Sequence, residues 1–512
     1  MIQLRTYSPA LKTATLAIAA LAIFLTLAIW IIYNGRANAD EGFYALASKL
    51  AISGEIPYRD FAYTQMPLLP YIQGAFLHWF EFTVEAQRWL NVFWSSCLLG
   101  MIAWRLHRSG AAQREWAQTL CLWITAIPIV YFSIIGKTYG LAQLLLVIAA
   151  LGLWLTDPRR SLCHIALFGV LAIGCRLTVA PAVAAIYLYP TIRILRQKTG
   201  LLWVLIPPLF FASALLCPFF LLAPDNTYFW TWQYHILSTL PKRPIIQVFG
   251  EFTVMAPGLL LVACYSLWYG IKSKSTGKHS THYLFCLGAG LFGAAVNIIT
   301  TSFYAEYAVM FTPLILLGAG GLITQESAPR ELAPKQMILL AGCALSLAIF
   351  CLSNKDRYIR PGYIESVKAA GAHLAQCTAP NALVITSMPE ILLQADRQGH
   401  RQLAMGCFSV TGDMPENQAT TLGMMHINQL LRELYQGSAD ALVLWNGANF
   451  EGSADALVLW NGANFEYSAP SMCYFTKETH KLTAETIKRN YEPSFSNRYF
   501  TVLVRKPTSS VP

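Results

Sequence analysis

Residues 38–74 read NADEGFYALASKLAISGEIPYRDFAYTQMPLLPYIQG and form the centre of a polar loop, residues 34–86, that follows the first apolar stretch. Loops of about 50 residues are uncommon unless they have a function. Asn38 or Asp40 is a suitable N-cap, and Glu41 suits a first helical turn. Apolar residues follow at helical spacing: Phe43, Leu46, Ala47 and Leu50. The pattern predicts an amphipathic helix that begins at Asp40 and lies along a membrane face.

The composition around this loop indicates a membrane protein. Apolar residues make up 55% and charged residues 12% of the 512 residues, whereas soluble domains carry roughly 25% charge. This excludes a soluble globular, a disordered and a fibrous protein. Repeated apolar stretches have the length that crosses a bilayer as a helix, and they predict an α-helical polytopic fold with about 11 transmembrane helices. The predicted spans are residues 12–33, 87–106, 116–135, 139–155, 161–174, 179–194, 201–222, 252–269, 283–300, 307–323 and 336–352.

Basic residues predict the orientation of these spans. Alternate short loops are rich in Lys and Arg, as at Arg105, Arg108, Arg159 and Arg160, and such loops stay in the cytoplasm. The N-terminus is then cytoplasmic, and an odd number of spans places the 34–86 loop and the C-terminal region on the outer side. The net charge of +10 therefore reflects topology, and no nucleic-acid partner is predicted.

The C-terminal region has a different pattern and predicts a second domain. Residues 1–352 form the membrane module, and residues 353–512 read as a small α/β domain with interspersed helices and strands: helices at 363–376 and 427–435, and strands at 382–386 and 499–505. The segment GSADALVLWNGANFE at 437–451 is repeated identically at 452–466. Two copies are too few for a solenoid. One ALVLW is expected to fill a strand position, and the other is looped out or forms an added hairpin.

Cysteine usage predicts neither a disulfide framework nor a metal site. Most of the 12 cysteines lie in or beside apolar spans, where cysteine behaves as a small hydrophobic residue. Cys377, Cys407 and Cys473 are in the outer domain and allow one disulfide. No CxxC pair occurs, so structural zinc is not expected.

Asp40 and Glu41 have two interpretations. They either cap and charge the helix, or they hold carboxylates at the mouth of the bundle for chemistry. Adjacent helical residues project about 100° apart, so the two carboxylates would serve different partners. One would then act as a base while the other orients a substrate hydroxyl.

The loop resembles the first periplasmic loop of GT-C glycosyltransferases, in particular the bacterial branch similar to protein O-mannosyltransferases and lipid A aminoarabinose transferases. The residues that carry the resemblance are Asp40, Glu41, Tyr44, Gly54, Pro57, Tyr58, Arg59, Asp60, Gln65, Met66, Pro67 and Leu68. It implies a GT-C-like bundle with interfacial helices in this loop. It also implies transfer of a hexosyl or pentosyl group from a polyprenyl-phosphate donor to a glycan, lipid or protein acceptor, at the periplasmic face of the bacterial inner membrane. Asp40 would be the catalytic base.

The departing lipid phosphate needs cations or backbone donors more than a general acid. Arg176, in GCRLTVAP, is the leading candidate, although it also suits a residue that snorkels to the interface. Lys137 is a further candidate or a simple turn residue, and Lys242 and Arg243 either bind phosphate or only decorate a loop. His235 lies in an aromatic cluster, where it is a substrate ligand or an ordinary interface histidine. The predicted substrate-binding residues are Glu41, Tyr44, Arg59, Asp60, Gln65, Lys137, Arg176, His235, Lys242 and Arg243.

Two positions depart from the family pattern. The aminoarabinose transferases have Glu-Lys-Pro-Pro-Leu where this chain has Thr64, Gln65, Met66, Pro67 and Leu68. An acidic metal ligand is therefore missing, and neither a divalent metal nor another cofactor is predicted. Glu306 precedes Tyr307 where the family often has a basic residue, so no phosphate contact is expected there.

Two other functions remain as alternatives. A transporter or flippase of lipid-linked saccharides would use the carboxylates along a pathway, but it should show inverted repeats and broken helices at the midplane. An O-antigen ligase or polymerase would share the substrate and the side of the membrane. Its main catalytic loop would lie later in the chain, where residues 225–251 are the only candidate for such a loop.

Overall fold

The computed structural model describes residues 9–36, 38, 40–197, 200–237, 243–272, 280–301, 304–324, 332–353, 355–412, 414–445, 487 and 489–506. The α-helices are α1 (Pro9–Asn34), α2 (Asp40–Ile52), α3 (Leu68–Leu77), α4 (Val84–Arg108), α5 (Gln113–Ile124), α6 (Ile127–Ile134), α7 (Tyr139–Leu151), α8 (Pro158–Cys175), α9 (Ala180–Arg196), α10 (Leu202–Leu222), α11 (Pro224–Tyr228), α12 (Tyr234–Leu237), α13 (Ile245–Met255), α14 (Pro257–Lys272), α15 (Ser280–Thr301), α16 (Thr312–Thr324), α17 (Leu332–Leu352), α18 (Tyr363–Cys377), α19 (Pro389–Ala395), α20 (Glu416–Thr421) and α21 (Ile427–Gln436). The strands are β1 (Leu383–Thr386), β2 (Gln398–Gly399), β3 (Val410–Thr411), β4 (Met425–His426), β5 (Ala441–Trp445), β6 (Tyr491–Ser496) and β7 (Phe500–Arg505).

Apolar helices long enough to cross a bilayer confirm a multi-pass membrane protein. In the described residues five helices qualify: Leu177–Arg196, Leu202–Leu222, Ser280–Thr300, Ala305–Thr324 and Pro334–Leu352. Two bent helix pairs raise the number to seven if each pair is one span. The first pair joins Arg114–Ile124 to Ile127–Ile134 at 75°, and the second joins Ile245–Met255 to Pro257–Gly270 at 94°.

The predicted count of about 11 spans is therefore not confirmed. Helices do occupy the other predicted positions, as α1, α4, α7 and α8. Within the described residues, two of these positions carry shorter apolar helical stretches, Ile18–Asn34 and Tyr139–Trp154. Helices α4 and α8 instead carry arginines within their length. The predicted span 252–269 is wrong in its boundaries, because the chain bends sharply between α13 and α14.

The chain divides into two compact units. The first comprises Met1–Gly35, Asn91–Leu215 and Lys242–Ile359, and the second comprises Arg36–Leu90, Leu216–Pro241 and Arg360–Pro512. The second unit thus joins the first loop to the C-terminal region, whereas the sequence places the loop in the membrane module.

The second unit contains the predicted α/β domain. In its described part a five-stranded sheet has the order β2-β1-β5-β7-β6, with β1 parallel to β2 and β5, and β7 antiparallel to β5 and β6. A hydrophobic core lies on each face of the sheet. Consecutive residues of each central strand pack into different cores, since side chains alternate along a strand. Val384, Val443 and Val502 pack with α18 and α19, whereas Ile385, Leu442 and Leu503 pack with α21.

The first copy of the duplicated segment supplies β5. It pairs with β1 through Val384 and Ala441 and with β7 through Leu442 and Leu503. The expectation that one ALVLW fills a strand position is therefore confirmed for Ala441–Trp445. The second copy, at 452–466, lies outside the described residues.

Helix α2 begins at Asp40 as predicted, but it is not a one-sided amphipathic helix. Its buried residues surround most of the axis: Glu41, Gly42, Phe43, Tyr44, Ala45, Ala47, Ser48, Leu50 and Ala51. It packs against α3 and α19 within the second unit. A helix covered by protein on several sides does not have one apolar stripe, so the one-sided pattern is wrong, whereas the position of α2 along a membrane face stays a prediction.

Candidate functional site

The first group of candidate residues lies at the start of α2. The Asp40 backbone N–H donates a hydrogen bond to Asn38 Oδ1 at 3.1 Å, as expected of an N-terminal cap. The backbone N–H of Asn38 in turn donates to Glu41 Oε2 at 3.3 Å. These reciprocal bonds fix the first turn, and the Asp40 side chain is partly exposed. A partly exposed carboxylate on a fixed turn suits a general base.

Glu41 lies beside Asp40 in a different environment. Its two carboxylate oxygens accept hydrogen bonds from Arg88 Nε at 2.8 Å and Arg88 Nη2 at 2.7 Å, and both side chains are fully buried. Arg88 also donates to the backbone carbonyl of Arg36 at 3.1 Å. A substrate contact from Glu41 stays a prediction that requires this ion pair to open.

Arg88 was not among the site residues predicted from the sequence, because the pattern shows only a charged residue at the edge of the predicted span 87–106. Its signal was an arginine next to the polar face of an apolar stretch. A partner more than 40 positions away cannot be read from such a pattern.

The other candidates from the first loop form a turn around Tyr58. Tyr58 has a φ of 71°, an unusual conformation for a bulky residue, and its hydroxyl donates to the Gln65 backbone carbonyl at 2.6 Å. Arg59 and Asp60 form a two-bond ion pair with each other, at 2.8 and 2.7 Å. This pair and a bond from the Ile56 backbone N–H hold the pKa of Asp60 below its usual value. A paired, ionised Asp60 is available to accept hydrogen bonds from a sugar.

Tyr44 and His235 reach the same turn. The Tyr44 ring is buried and packs edge-on against Tyr63 at 6.3 Å between centroids. His235 Nε2 lies 2.7 Å from the Thr64 backbone carbonyl. The structure therefore brings Tyr44, Arg59, Asp60, Gln65 and His235 into one unit.

The aromatic segment 228–235 divides into anchoring and exposed side chains. Trp230 Nε1 donates to the Leu422 carbonyl at 3.0 Å, and the Tyr234 hydroxyl donates to the Phe408 carbonyl at 3.2 Å. Tyr228 and Trp232 are about half exposed, at 53% and 51%. The exposed pair, but not the anchored pair, is open to stacking on a sugar or a prenyl chain.

The second group of candidates lies in the first unit. Arg176 follows the last residue of α8 in extended conformation, and Lys137 lies in the short link between α6 and α7. The Arg176 guanidinium donates to Thr138 Oγ1 at 3.1 Å and lies between the rings of Tyr139 and Tyr307, at 4.8 and 4.6 Å from their centroids. Arginine stacks well between aromatic rings because its charge is spread over a plane.

Lys137 joins this group through Glu306. Lys137 Nζ lies 2.7 Å from Glu306 Oε1, and the Tyr139 hydroxyl donates to the same oxygen at 2.8 Å. Lys137 and Arg176 are both buried, at 4% and 5% exposure. Two cations and one carboxylate leave the group with a net positive charge, which favours an anion.

Glu306 was noticed in the sequence only as a departure from the family pattern. The structure makes it a partner of Lys137, and the expectation that it makes no phosphate contact stays a prediction. The acidic residue replaces the expected basic one and balances a lysine elsewhere in the chain, which one sequence alone does not reveal.

The remaining predicted phosphate contacts are separate from this group. Lys242 lies outside the described residues. Arg243 forms a two-bond ion pair with Glu251, which Arg357 also approaches at 3.7 Å. This ion pair raises the pKa of Arg243. A phosphate contact from Lys242 or Arg243 stays a prediction.

Neither a metal site nor a disulfide appears in the described part of the chain. No three His, Cys, Asp or Glu side chains there are placed to hold a metal ion. Cys377 is a free thiol, whereas the side chains of Cys407 and Cys473 are outside the described residues. The prediction of metal independence is therefore not tested.

The helices and the C-terminal sheet together define a multi-pass membrane protein with a GT-C fold. The fold is similar to that of ArnT from Cupriavidus metallidurans. The crystal structure of ArnT bound to undecaprenyl phosphate aligns with a TM-score of 0.64 at 12% identity, covering 97% of this chain and 98% of that one. ArnT in the apo state aligns with a TM-score of 0.60 at 12% identity over the same shares.

A cryo-EM structure of the arabinofuranosyltransferase AftD from Mycobacteria aligns over 97% of this chain and 40% of AftD, with a TM-score of 0.46 and 13% identity. No protein-family model and no curated protein sequence matches the chain. At these identities the likeness to ArnT establishes the fold, and it confirms the GT-C resemblance noted in the sequence at that level.

Proposed function

We propose that this protein is a membrane glycosyltransferase that moves a sugar from a polyprenyl-phosphate donor to an acceptor hydroxyl at the periplasmic face of the bacterial inner membrane. One observation carries the proposal: the chain shares its fold, over almost its whole length, with a transferase whose crystal structure contains undecaprenyl phosphate. The candidate residues supply the groups that such a reaction needs.

Asp40 is the proposed catalytic base. As the acceptor oxygen attacks the anomeric carbon, its proton passes to the Asp40 carboxylate. The new carbon–oxygen bond forms as the bond between the anomeric carbon and the phosphate oxygen breaks, and the polyprenyl phosphate leaves with the bonding electrons. Attack opposite the leaving group inverts the configuration, and no metal takes part. The fixed first turn of α2 supports this role, because general base catalysis depends on a positioned carboxylate.

Arg176 is the proposed principal contact of the donor phosphate, with Lys137 as its second cation. Phosphate recognition favours a planar arginine that offers several donors. The Tyr139 and Tyr307 rings hold the guanidinium in one orientation. Lys137 is paired with Glu306 in the protein, so burying this lysine does not leave an uncompensated cation. Its positive charge still adds to that of Arg176 when the phosphate binds.

Substitution of Asp40 tests the reaction. Purified protein is incubated with radiolabelled polyprenyl-phosphate sugars and membrane extract as the source of acceptors. We expect Asp40→Asn to reduce transfer by about 100-fold or more, since general base catalysis contributes 10²- to 10⁴-fold. Donor binding should stay the same, because the lost group acts on the acceptor.

Asp396→Asn is the matched control for Asp40→Asn. Asp396 belongs to the same unit, its side chain is 88% exposed, and its φ of 50° suits asparagine equally well. The control should transfer sugar like the unsubstituted protein. Undiminished transfer in Asp40→Asn would remove the assignment of the base. Movement of intact lipid-linked saccharide across a vesicle membrane, without sugar transfer, would favour a flippase instead.

A further inference from the structure

Helices α2 and α19 of the second unit are in close contact at Gly42. A Cβ atom built on Gly42 would overlap the Glu390 carboxylate and would lie 2.8 Å from the Glu390 backbone nitrogen. The backbone contact cannot be relieved by rotating a side chain. The first turn of α2 is therefore pressed against Glu390, and only glycine fits there.

Glu390 is an unusual residue to find at this contact. Its side chain is buried, at 2% exposure, and its Oε1 accepts a hydrogen bond from the Tyr363 hydroxyl at 2.8 Å. Its Oε2 is the atom nearest to Gly42, and within the described residues no hydrogen bond reaches it. An apolar residue would avoid the cost of burying a carboxyl group. Its presence beside the turn that carries Asp40 suggests a functional reason.

Tyr363 contacts both Glu390 and Arg88, and Arg88 makes the second contact with the first turn of α2. The Arg88 guanidinium lies 5.8 Å from the centre of the Tyr363 ring, and Arg88 binds Glu41 through two hydrogen bonds. Glu41 and Gly42 directly follow Asp40 and are therefore held by Arg88 and by Glu390. Two successive residues held by buried groups fix the direction in which Asp40 projects.

We propose that Glu390 is a positioning residue for sugar transfer: together with Tyr363 it holds the first turn of α2, and thereby the Asp40 carboxylate, in the orientation needed to accept a proton. The inference rests on the proposed function. It gives the C-terminal α/β region a role in the reaction, because α18 and α19 supply both residues.

The protonation state of Glu390 gives the role a pH dependence. The pKa of Glu390 is raised to about 7: burial is the main cause and the nearby Glu41 carboxylate a minor one, while a bond from the backbone of Glu390 itself and the bond from Tyr363 oppose the shift. The charged or titratable groups facing it are Glu41 from α2, Tyr363 from α18 and, over the Tyr363 ring, Arg88; β2 and α19 itself contribute none. Above pH 7 Glu390 ionises, which strengthens its hydrogen bond from Tyr363 and places a second buried negative charge beside Glu41.

The test compares Glu390→Ala and Glu390→Gln with Glu433→Gln as control. Glu433 belongs to the same unit and is a largely buried glutamate with His400 and Gln429 as partners. Two quantities are measured: kcat and KM for a polyprenyl-phosphate sugar, and amide hydrogen exchange of the peptide covering residues 38–50.

We expect Glu390→Ala to lower kcat by about 10- to 100-fold, as small misplacements of a catalytic group do, with KM for the donor unchanged. Exchange in the 38–50 peptide should become faster. Glu390→Gln should restore most of kcat, because its amide oxygen still accepts from Tyr363. It should also remove the part of the pH dependence of kcat near pH 7 that comes from titration of Glu390. Glu433→Gln should change neither quantity.

Three results would overturn the proposal: kcat unchanged in Glu390→Ala, an equal loss of kcat in Glu433→Gln, or exchange at residues 38–50 unaffected by Glu390→Ala. The exchange measurement does not need activity. If the unsubstituted protein transfers no sugar, the proposed function fails, whereas the hold of Glu390 on the turn is still decided by exchange.

Discussion

At the scale of single residues, the sequence shows which charged side chains lie in apolar surroundings but not which residues pair with them. Arg176 stood out because a charge interrupts an apolar hairpin, and the structure places it between two tyrosine rings beside Lys137. Glu306, the residue that binds Lys137, was not predicted as a partner. A single sequence shows which residues are costly to bury, but the partners that make burial tolerable are distant in the chain: 47 positions for Glu41 and Arg88, and 169 for Lys137 and Glu306.

The Arg176 assignment predicts a graded loss of donor affinity. We expect Arg176→Ala to weaken binding of undecaprenyl phosphate by about tenfold or more, because a charge-assisted phosphate contact is lost. Arg176→Lys should lie between, since lysine keeps the charge but not the planar stacking on Tyr139 and Tyr307. Binding to purified protein in detergent is measured by the quenching of tryptophan fluorescence.

Arg196→Ala is the control for the Arg176 series, because Arg196 is an exposed arginine at the end of α9 in the same unit. It should bind like the unsubstituted protein. Equal affinity of all the Arg176 variants would show that this arginine only anchors α8 at the membrane interface.

At the scale of elements, the start of α2 was predictable and its environment was not. The cap at Asn38 and the helical periodicity are local signals, so the first residue was located correctly. The prediction of a one-sided apolar stripe was wrong because α3 and α19 also cover the faces of α2 whose residues are weakly polar or small. Gly42 and Ser48 are buried at such contacts. Small residues are compatible with both solvent and close packing, so the pattern could not distinguish the two.

The buried ion pair between Glu41 and Arg88 predicts which substitution lowers the stability of the region around α2. Arg88→Ala leaves a buried, unpaired carboxylate, which typically costs about 3–5 kcal/mol. We expect a clear fall in the thermal unfolding temperature of the purified protein. The double substitution Glu41→Leu with Arg88→Met should recover much of the loss, because it removes both charges and keeps the volume.

Lys368→Ala provides the comparison for Arg88→Ala. Lys368 pairs with Glu85, but its side chain is half exposed, and exposed pairs contribute about 1 kcal/mol at most. An unfolding temperature of Arg88→Ala no lower than that of Lys368→Ala would contradict the structural role given to the pair.

At the scale of the whole molecule, the sequence predicted the class of fold but not the number of spans. Apolar composition decides that the chain enters a membrane, and that signal is strong. The bends of 75° and 94° lie within or beside stretches that read as continuous apolar runs. Hydropathy records length and polarity but not direction, so a bent pair and a straight helix look alike.

The tandem duplication predicts tolerance of a deletion. Removing residues 437–451 or residues 452–466 gives the same shortened chain, and that chain keeps one ALVLW segment. Because one segment already pairs with β1 and β7, we expect the unfolding temperature and sugar transfer to match those of the full chain. Loss of either property on deleting 452–466 would show that the additional copy is needed.

Strand β5 pairs on one side with β1 and on the other with β7, whose last residue, Arg505, is among the last described residues of the chain. The ribosome makes β7 after the apolar helices of the described residues, so the sheet stays open at β5 until β7 has been made. The α19 contact that supports Asp40 comes from the same late region. A nascent chain therefore completes this sheet only after Phe500–Arg505 has been made, and a stop upstream of Phe500 should leave β5 with an exposed, aggregation-prone strand edge.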